Sequence, residues 1–98
     1  MTETYILDDS GNPVFEPDSL KWAKQLGKVG RHVANDSVGE AVISTVFLGI
    51  DHNHSGGRPL LFETMIFGGT YDQYQERYST RDEAIAGHSK ALALIRRE

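Results

Sequence analysis

Residues 42–68 read VISTVFLGIDHNHSGGRPLLFETMIFG. Two runs rich in Val, Ile, Thr and Phe flank a polar loop, residues 51–58, and that composition is what a pleated, half-buried surface favours. The loop is too short for a helical crossover, so the runs are expected to pair as an antiparallel hairpin. In the first strand, residues 41–50, strict alternation puts Ile43, Thr45, Phe47 and Gly49 on one face. Val42, Ser44, Val46, Leu48 and Ile50 lie on the other, and the face carrying Val46, Leu48 and Ile50 is expected to meet the core. In the second, residues 60–68, Leu60, Phe62, Thr64 and Ile66 oppose Leu61, Glu63, Met65 and Phe67.

Downstream, Gly68-Gly69 marks a turn, and residues 74–78 add an edge strand. Ser79-Thr80-Arg81-Asp82-Glu83 contains Thr-x-x-Glu, the signature of a capping box. A helix is predicted over residues 80–97, with an apolar stripe of Ala84, Ile85, His88, Ala91, Leu92 and Ile95. Upstream, residues 31–34 suit a short strand that turns at Asn35-Asp36-Ser37. Pro17-Asp18-Ser19 opens a helix over residues 18–27, with Leu20, Ala23 and Leu26 in register and Trp22 beside Leu26. Lys21, Lys24 and Lys28 fall on its other side, and Gly27 and Gly30 end it. Residues 1–17 form an acidic arm with a short strand at residues 4–7 and a turn at Gly11-Asn12-Pro13. The expected fold is α+β in a single domain: an antiparallel sheet of three to four strands over residues 31–78, packed against two helices on one face. Tyr5, Leu20, Trp22, Val46, Leu48, Phe62, Ile85 and Leu92 are its predicted core.

The chain has 98 residues, a hydrophobic share of 39% and no cysteine. That excludes disulfides and a thiolate zinc site. No apolar run approaches the roughly 20 residues that span a bilayer, and the N-terminus has no signal-peptide pattern. A cytoplasmic protein without a membrane partner is expected. The net charge of −4 argues against a broad phosphate-binding surface, so direct nucleic-acid binding is not expected. Charge is segregated: Glu3, Asp8, Asp9, Glu16 and Asp18 precede Lys21, Lys24, Lys28 and Arg31. Local pairing or solubility explains this more simply than mimicry of nucleic acid.

Three groupings can carry chemistry. Asp51-His52-Asn53-His54 offers imidazole and carboxylate ligands for a divalent metal, with His88 and Glu63 as further ligands. The competing reading is a solvated loop, with His88 at the core edge and Glu63 facing water. Ser55-Gly56-Gly57-Arg58 can cradle an anion, or its glycines simply let the hairpin turn. Tyr71, Tyr74 and Arg77, with Tyr78 beside them, place interface-type residues on an edge strand, which can also accept a second chain and build a homodimer. No nucleophile, acid and base set is recognisable, so no catalytic residue is assigned and no cofactor is expected.

The runs STVFLGIDH, PLLFETMIFGG, QERYST and EAIAGH, with YILD and LKWAK earlier, resemble a family of small uncharacterised proteins encoded by phages and prophages. The likeness spans about residues 5–88. The resemblance implies an accessory protein of an infected or lysogenic bacterium that binds a host or defence protein. An inhibitor of a defence nuclease such as a CRISPR effector is the sharpest form of that expectation. Its partner surface would comprise Asp51, His52, His54, Arg58, Tyr71, Tyr74 and Arg77. Positions matching the pattern include Asp51, His52, Glu63, Arg77, Tyr78 and His88, whereas His54 lies outside it. This directs the alternative, a metal-assisted hydrolase or metal-stabilised domain, to His52, His88, Asp51 and Glu63.

Overall fold

The Thr-x-x-Glu motif does what its spacing requires, and the rest of the fold is arranged around the helix it starts. In the computed structural model, which describes residues 3–28 and 31–97, Thr80 accepts from the Glu83 amide at 3.1 Å while Glu83 returns to the Thr80 amide. Helix α2 (Arg81–Arg96) follows, with Asp82 and Glu83 at its positive end and Arg96 at its negative end. It crosses one face of a four-stranded antiparallel sheet of order β3-β4-β5-β6. The strands are β3 (His32–Val38), β4 (Ala41–Phe47), β5 (Phe62–Phe67) and β6 (Gln75–Tyr78).

The expected hairpin is β4–β5, in register from Val42 opposite Phe67 to Phe47 opposite Phe62. The buried face of β4 is, however, the opposite of the expected one. Ala41, Ile43, Thr45 and Phe47 are buried, whereas Val46 and Leu48 are only partly covered. Burial of Thr45 on this face is possible because its hydroxyl is hydrogen-bonded to Thr64 and His88 beneath α2. On β5 the buried set is Phe62, Thr64 and Ile66, as the cross-strand register demands. Phe47 and Phe62 pack at a ring separation of 5.4 Å.

Strand β3 runs past the expected turn at Asn35-Asp36-Ser37 and turns instead at Gly39-Glu40, where Gly39 takes φ +59°. Asn35 and Ser37 lie on the open face of an edge strand, where polar groups reach water, and Asp36 finds a partner on α2. Two predicted core residues are exposed, Leu20 at 73% and Ile85 at 44%. Helix α2 buries Ala84, His88, Ala91 and Ile95, a narrower stripe that leaves Ile85 on the flank.

The acidic arm is itself a hairpin. β1 (Tyr5–Leu7) pairs with β2 (Pro13–Phe15), a strand not expected from the sequence, and Tyr5 meets Phe15 edge-on at 5.9 Å. Helix α1 (Ser19–Lys28) begins where predicted: the Asp18 carboxylate accepts from the Leu20 and Lys21 amides. It docks on β1 rather than beside α2 on the larger sheet. Its inward residues are Trp22, Gln25 and Leu26, which rotates Leu20 into solvent. Trp22 Nε1 donates to the Gly49 carbonyl at 3.0 Å. The Gln25 carboxamide donates to the Leu7 carbonyl and accepts from its amide, completing the exposed side of β1 like one rung of a strand. Gly30, the expected helix end, lies outside the described residues. No helix among the described residues is long and apolar enough to cross a membrane.

Gly87 lets α2 approach the sheet. A Cβ there would overlap the Tyr78 ring and hydroxyl. Gly87→Ala should therefore lower thermal stability, by about 1–3 kcal/mol from overpacking, despite the roughly 1 kcal/mol that alanine contributes as a helix former. A chemical denaturation series measures this, and a more stable variant would contradict the packing. Gln25→Ala should cost about 1–3 kcal/mol in the same assay, because it strips both Leu7 backbone groups of their partner.

Candidate functional site

His88 is held at both ring nitrogens. Nε2 lies 2.8 Å from Asp36 Oδ2 and Nδ1 lies 2.7 Å from Thr45 Oγ1, and Thr45 in turn bonds to Thr64. The carboxylate accepts, so in the neutral ring Nε2 carries the hydrogen and Nδ1 accepts from Thr45. Asp36, His88 and Thr45 stand in the order of a nucleophilic relay. Thr45 and Thr64 are nevertheless fully buried, so no substrate reaches either hydroxyl. The row ends beside Tyr78, whose buried hydroxyl makes no hydrogen bond. Burial pushes the Tyr78 phenol up, and its closeness to Thr64 pulls it partly back.

The polar loop is braced from within. Asp51 Oδ1 accepts from the Asn53 and Leu60 amides, at 2.8 and 3.0 Å, while Asn53 donates to the Arg58 carbonyl. Asp51 thus shapes the loop rather than offering a free carboxylate. His52 is half-buried and its amide bonds to Leu60, whereas His54 is exposed. Arg58 reaches across to α2 and grips Glu83 with both terminal nitrogens, at 3.2 and 3.0 Å. This fork, with the Thr80 and Ser79 amides, holds the Glu83 carboxyl below its usual range. Arg77 pairs with Glu63 at 2.9 Å on the sheet face away from α2, and Gln75 bonds to the same carboxylate.

The sequence-derived sets are therefore divided. Arg58 and Arg77 come together, lining one cleft of about 230 Å³ with Leu60, Tyr78, Ser79 and Glu83. Tyr71 and Tyr74 lie at the other end of β5 and pack against the Ile43, Ile66 and Ala91 cluster. Six strand residues separate the two ends, roughly 20 Å. Of the four metal candidates, His88 projects from α2 onto one sheet face and Glu63 lies on the opposite face. Among the described residues no group of three or more His, Asp and Glu side chains converges. Asp36, Thr45 and Thr64 were missed as partners of His88. Their signal was available only through the β4–β5 register, which sets the two threonines opposite one another.

The face of the sheet opposite α2 carries no helix of the described chain. The cross-strand pair Val42 and Phe67 is exposed there, at 36% and 46%. Met65, opposite Ser44, is half-covered next along the strands, and Val46 follows opposite Glu63, which pairs with Arg77. Comparison with family models, curated proteins and solved structures finds no match for this chain.

Two pH effects follow from these contacts. Glu83 contributes stability in full above the ordinary carboxylate value of 4.5, and that contribution is lost as pH falls through its lowered folded value. Melting temperatures recorded across the acid range should therefore decline less steeply for Glu83→Gln than for the wild type. Tyr78 works in the other direction. Its raised phenol favours the folded state below 10.0, and the benefit disappears as pH rises through the folded value. Because its hydroxyl has no partner, Tyr78→Phe should be neutral or stabilising by up to about 1 kcal/mol at neutral pH.

Proposed function

We propose that this chain acts by binding another protein through the uncovered face of its four-stranded sheet. The observation that supports this most is the exposed Val42–Phe67 pair at one end of the β4–β5 register, with Met65 next to it and Ser44, Gln75, Glu63 and Arg77 as its polar surround. Contiguous exposed apolar surface with a polar rim is a common feature of interaction sites. The sealed Thr45 and Thr64 hydroxyls favour a binding role over a hydrolytic one. The resemblance to phage-encoded accessory proteins supplies the finer proposal, a bacterial defence nuclease such as a CRISPR effector as the partner.

Relative to the sequence-derived surface, this reading keeps Arg77 and sets Tyr71 and Tyr74 aside, since both tyrosines pack on the core. Phe67→Glu with Arg77→Ala is the matched variant, because both side chains face away from α2. Expressed in bacteria carrying an active CRISPR system, the wild-type chain should restore phage plating and co-purify with the effector. The double variant should lose both effects while retaining the wild-type circular dichroism spectrum. Full activity in the double variant would remove the sheet face from the reading. Absence of any effect by the wild type across CRISPR types would remove the nuclease.

A further inference from the structure

The cleft beside β6 forms where three parts of the chain meet. The loop before β5 supplies Arg58 and Leu60, β6 supplies Arg77 and Tyr78, and α2 supplies Glu83, with Ser79 between the last two. Its two arginines are committed to different extents. Arg58 places both terminal nitrogens on Glu83, at 3.2 and 3.0 Å. Arg77 commits only Nε, to Glu63 at 2.9 Å, and among the described residues its two terminal nitrogens have no hydrogen-bond partner. A guanidinium has five hydrogens to donate, so the four on those nitrogens are left over. We propose that this cleft receives the carboxylate of an acidic residue in a peptide segment of a partner protein, gripped end-on by the Arg77 fork.

The hydrogen-bonding capacity that remains in the cleft lies on the donor side. Glu83, the one acid lining it, is taken up: Oε1 accepts from Arg58 and from the Ser79 and Thr80 amides, and Oε2 accepts from Arg58. What is left is the Arg77 fork, the Arg58 Nε hydrogen and the Ser79 hydroxyl, none of which is hydrogen-bonded among the described residues. An occupant must therefore accept, and a planar pair of oxygens matches a planar fork. The fork is also held before any ligand arrives. The Glu63 side chain, 13% exposed, fixes Nε from the sheet face, and Gln75 in turn bonds to Glu63. A group oriented in advance loses less freedom on binding.

Size and surroundings select among acceptors. At about 230 Å³ the cleft falls below the roughly 300–1,000 Å³ of small-molecule pockets and accommodates a single side chain. The negative Glu83 in its wall repels a dianionic phosphate more than a singly charged carboxylate. Leu60 and the Tyr78 ring line it for a methylene stem. Arg58 and Ser79 also line a second depression of about 390 Å³, walled by Tyr5, Pro13, Pro59 and Leu61. An apolar receptor thus adjoins the carboxylate receptor, so the segment carries an apolar residue as well as an acidic one. This inference rests on the protein-binding role proposed above, but not on the Val42–Phe67 pair.

Selection of displayed random heptapeptides on the intact chain tests it. The enriched sequences should combine Asp or Glu with an apolar side chain. The consensus peptide should shift the Arg77 Nε–Hε resonance, and should bind roughly tenfold or more weakly when its acid is replaced by the amide. Arg77→Gln should weaken it as much. So should Arg77→Lys, which keeps a charge beside Glu63 but lacks the fork. Phe67→Glu should leave the affinity unchanged, and inorganic phosphate should displace the peptide no better than chloride at equal ionic strength. Enriched sequences without acids, a consensus peptide indifferent to both Arg77 variants, or displacement by phosphate would each overturn the proposal. A peptide lost in Phe67→Glu but retained in Arg77→Lys would overturn it too, while leaving the sheet-face reading standing. Loss at Arg77 with Phe67→Glu silent supports the cleft whatever the fate of the sheet face.

Discussion

The seat of α2 on the four-stranded sheet depends on a polar contact inside an apolar interface, the pairing of His88 with Asp36 and Thr45. Burying an imidazole and two hydroxyls without partners would cost several kcal/mol, so α2 must sit where all three are satisfied. That requirement selects the rotation of α2 about its axis and its position along the sheet. Ala84, Gly87 and Ala91 then supply the small side chains that let it approach. Apolar packing is non-directional and would tolerate a slide of α2, whereas the hydrogen bonds do not.

Much of the architecture was legible in the residues. The hairpin over residues 42–68, the capping box at Thr80 and the Asp18 start of α1 are local devices, and each appears where the sequence puts it. What was not legible depends on long-range partners. Each face of β4 carries apolar residues and one hydroxyl, Thr45 or Ser44, and only the contacts of Thr45 with Thr64 and His88 mark its face as the inner one. Asn35-Asp36-Ser37 reads as a turn until Asp36 is seen to reach α2 from an edge strand. Leu20 reads as core until Gln25 and Trp22 claim the inner side of α1.

The candidate site separated along similar lines. Arg58 and Arg77 were identified from their residue type and do share a cleft, but each already holds a carboxylate, Glu83 and Glu63 respectively. Asp51 was identified for its charge, and its charge is spent on two backbone amides. Residue type showed what each group can do. Which groups are already engaged is set by the tertiary register, which occupies the loop carboxylate and leaves one sheet face uncovered.

The single Gln25 carboxamide joining α1 to β1 has a consequence for how the molecule opens. The β1–β2 hairpin and α1 are attached to the larger sheet through a short ladder at Thr4 and Ile50, the Trp22 bond to Gly49 and the packing of Tyr5, whereas α2 spans all four strands of the other unit. Cooperativity is therefore unequal along the chain. Amide hydrogens of residues 5–7 should exchange through detachment of the N-terminal unit, at a lower free energy than the global unfolding that frees those of β4 and β5. The expected behaviour is that of two foldons of different tenacity, joined at the Thr4–Ile50 bridge and the Trp22–Gly49 bond, with Gln25 holding the weaker one together.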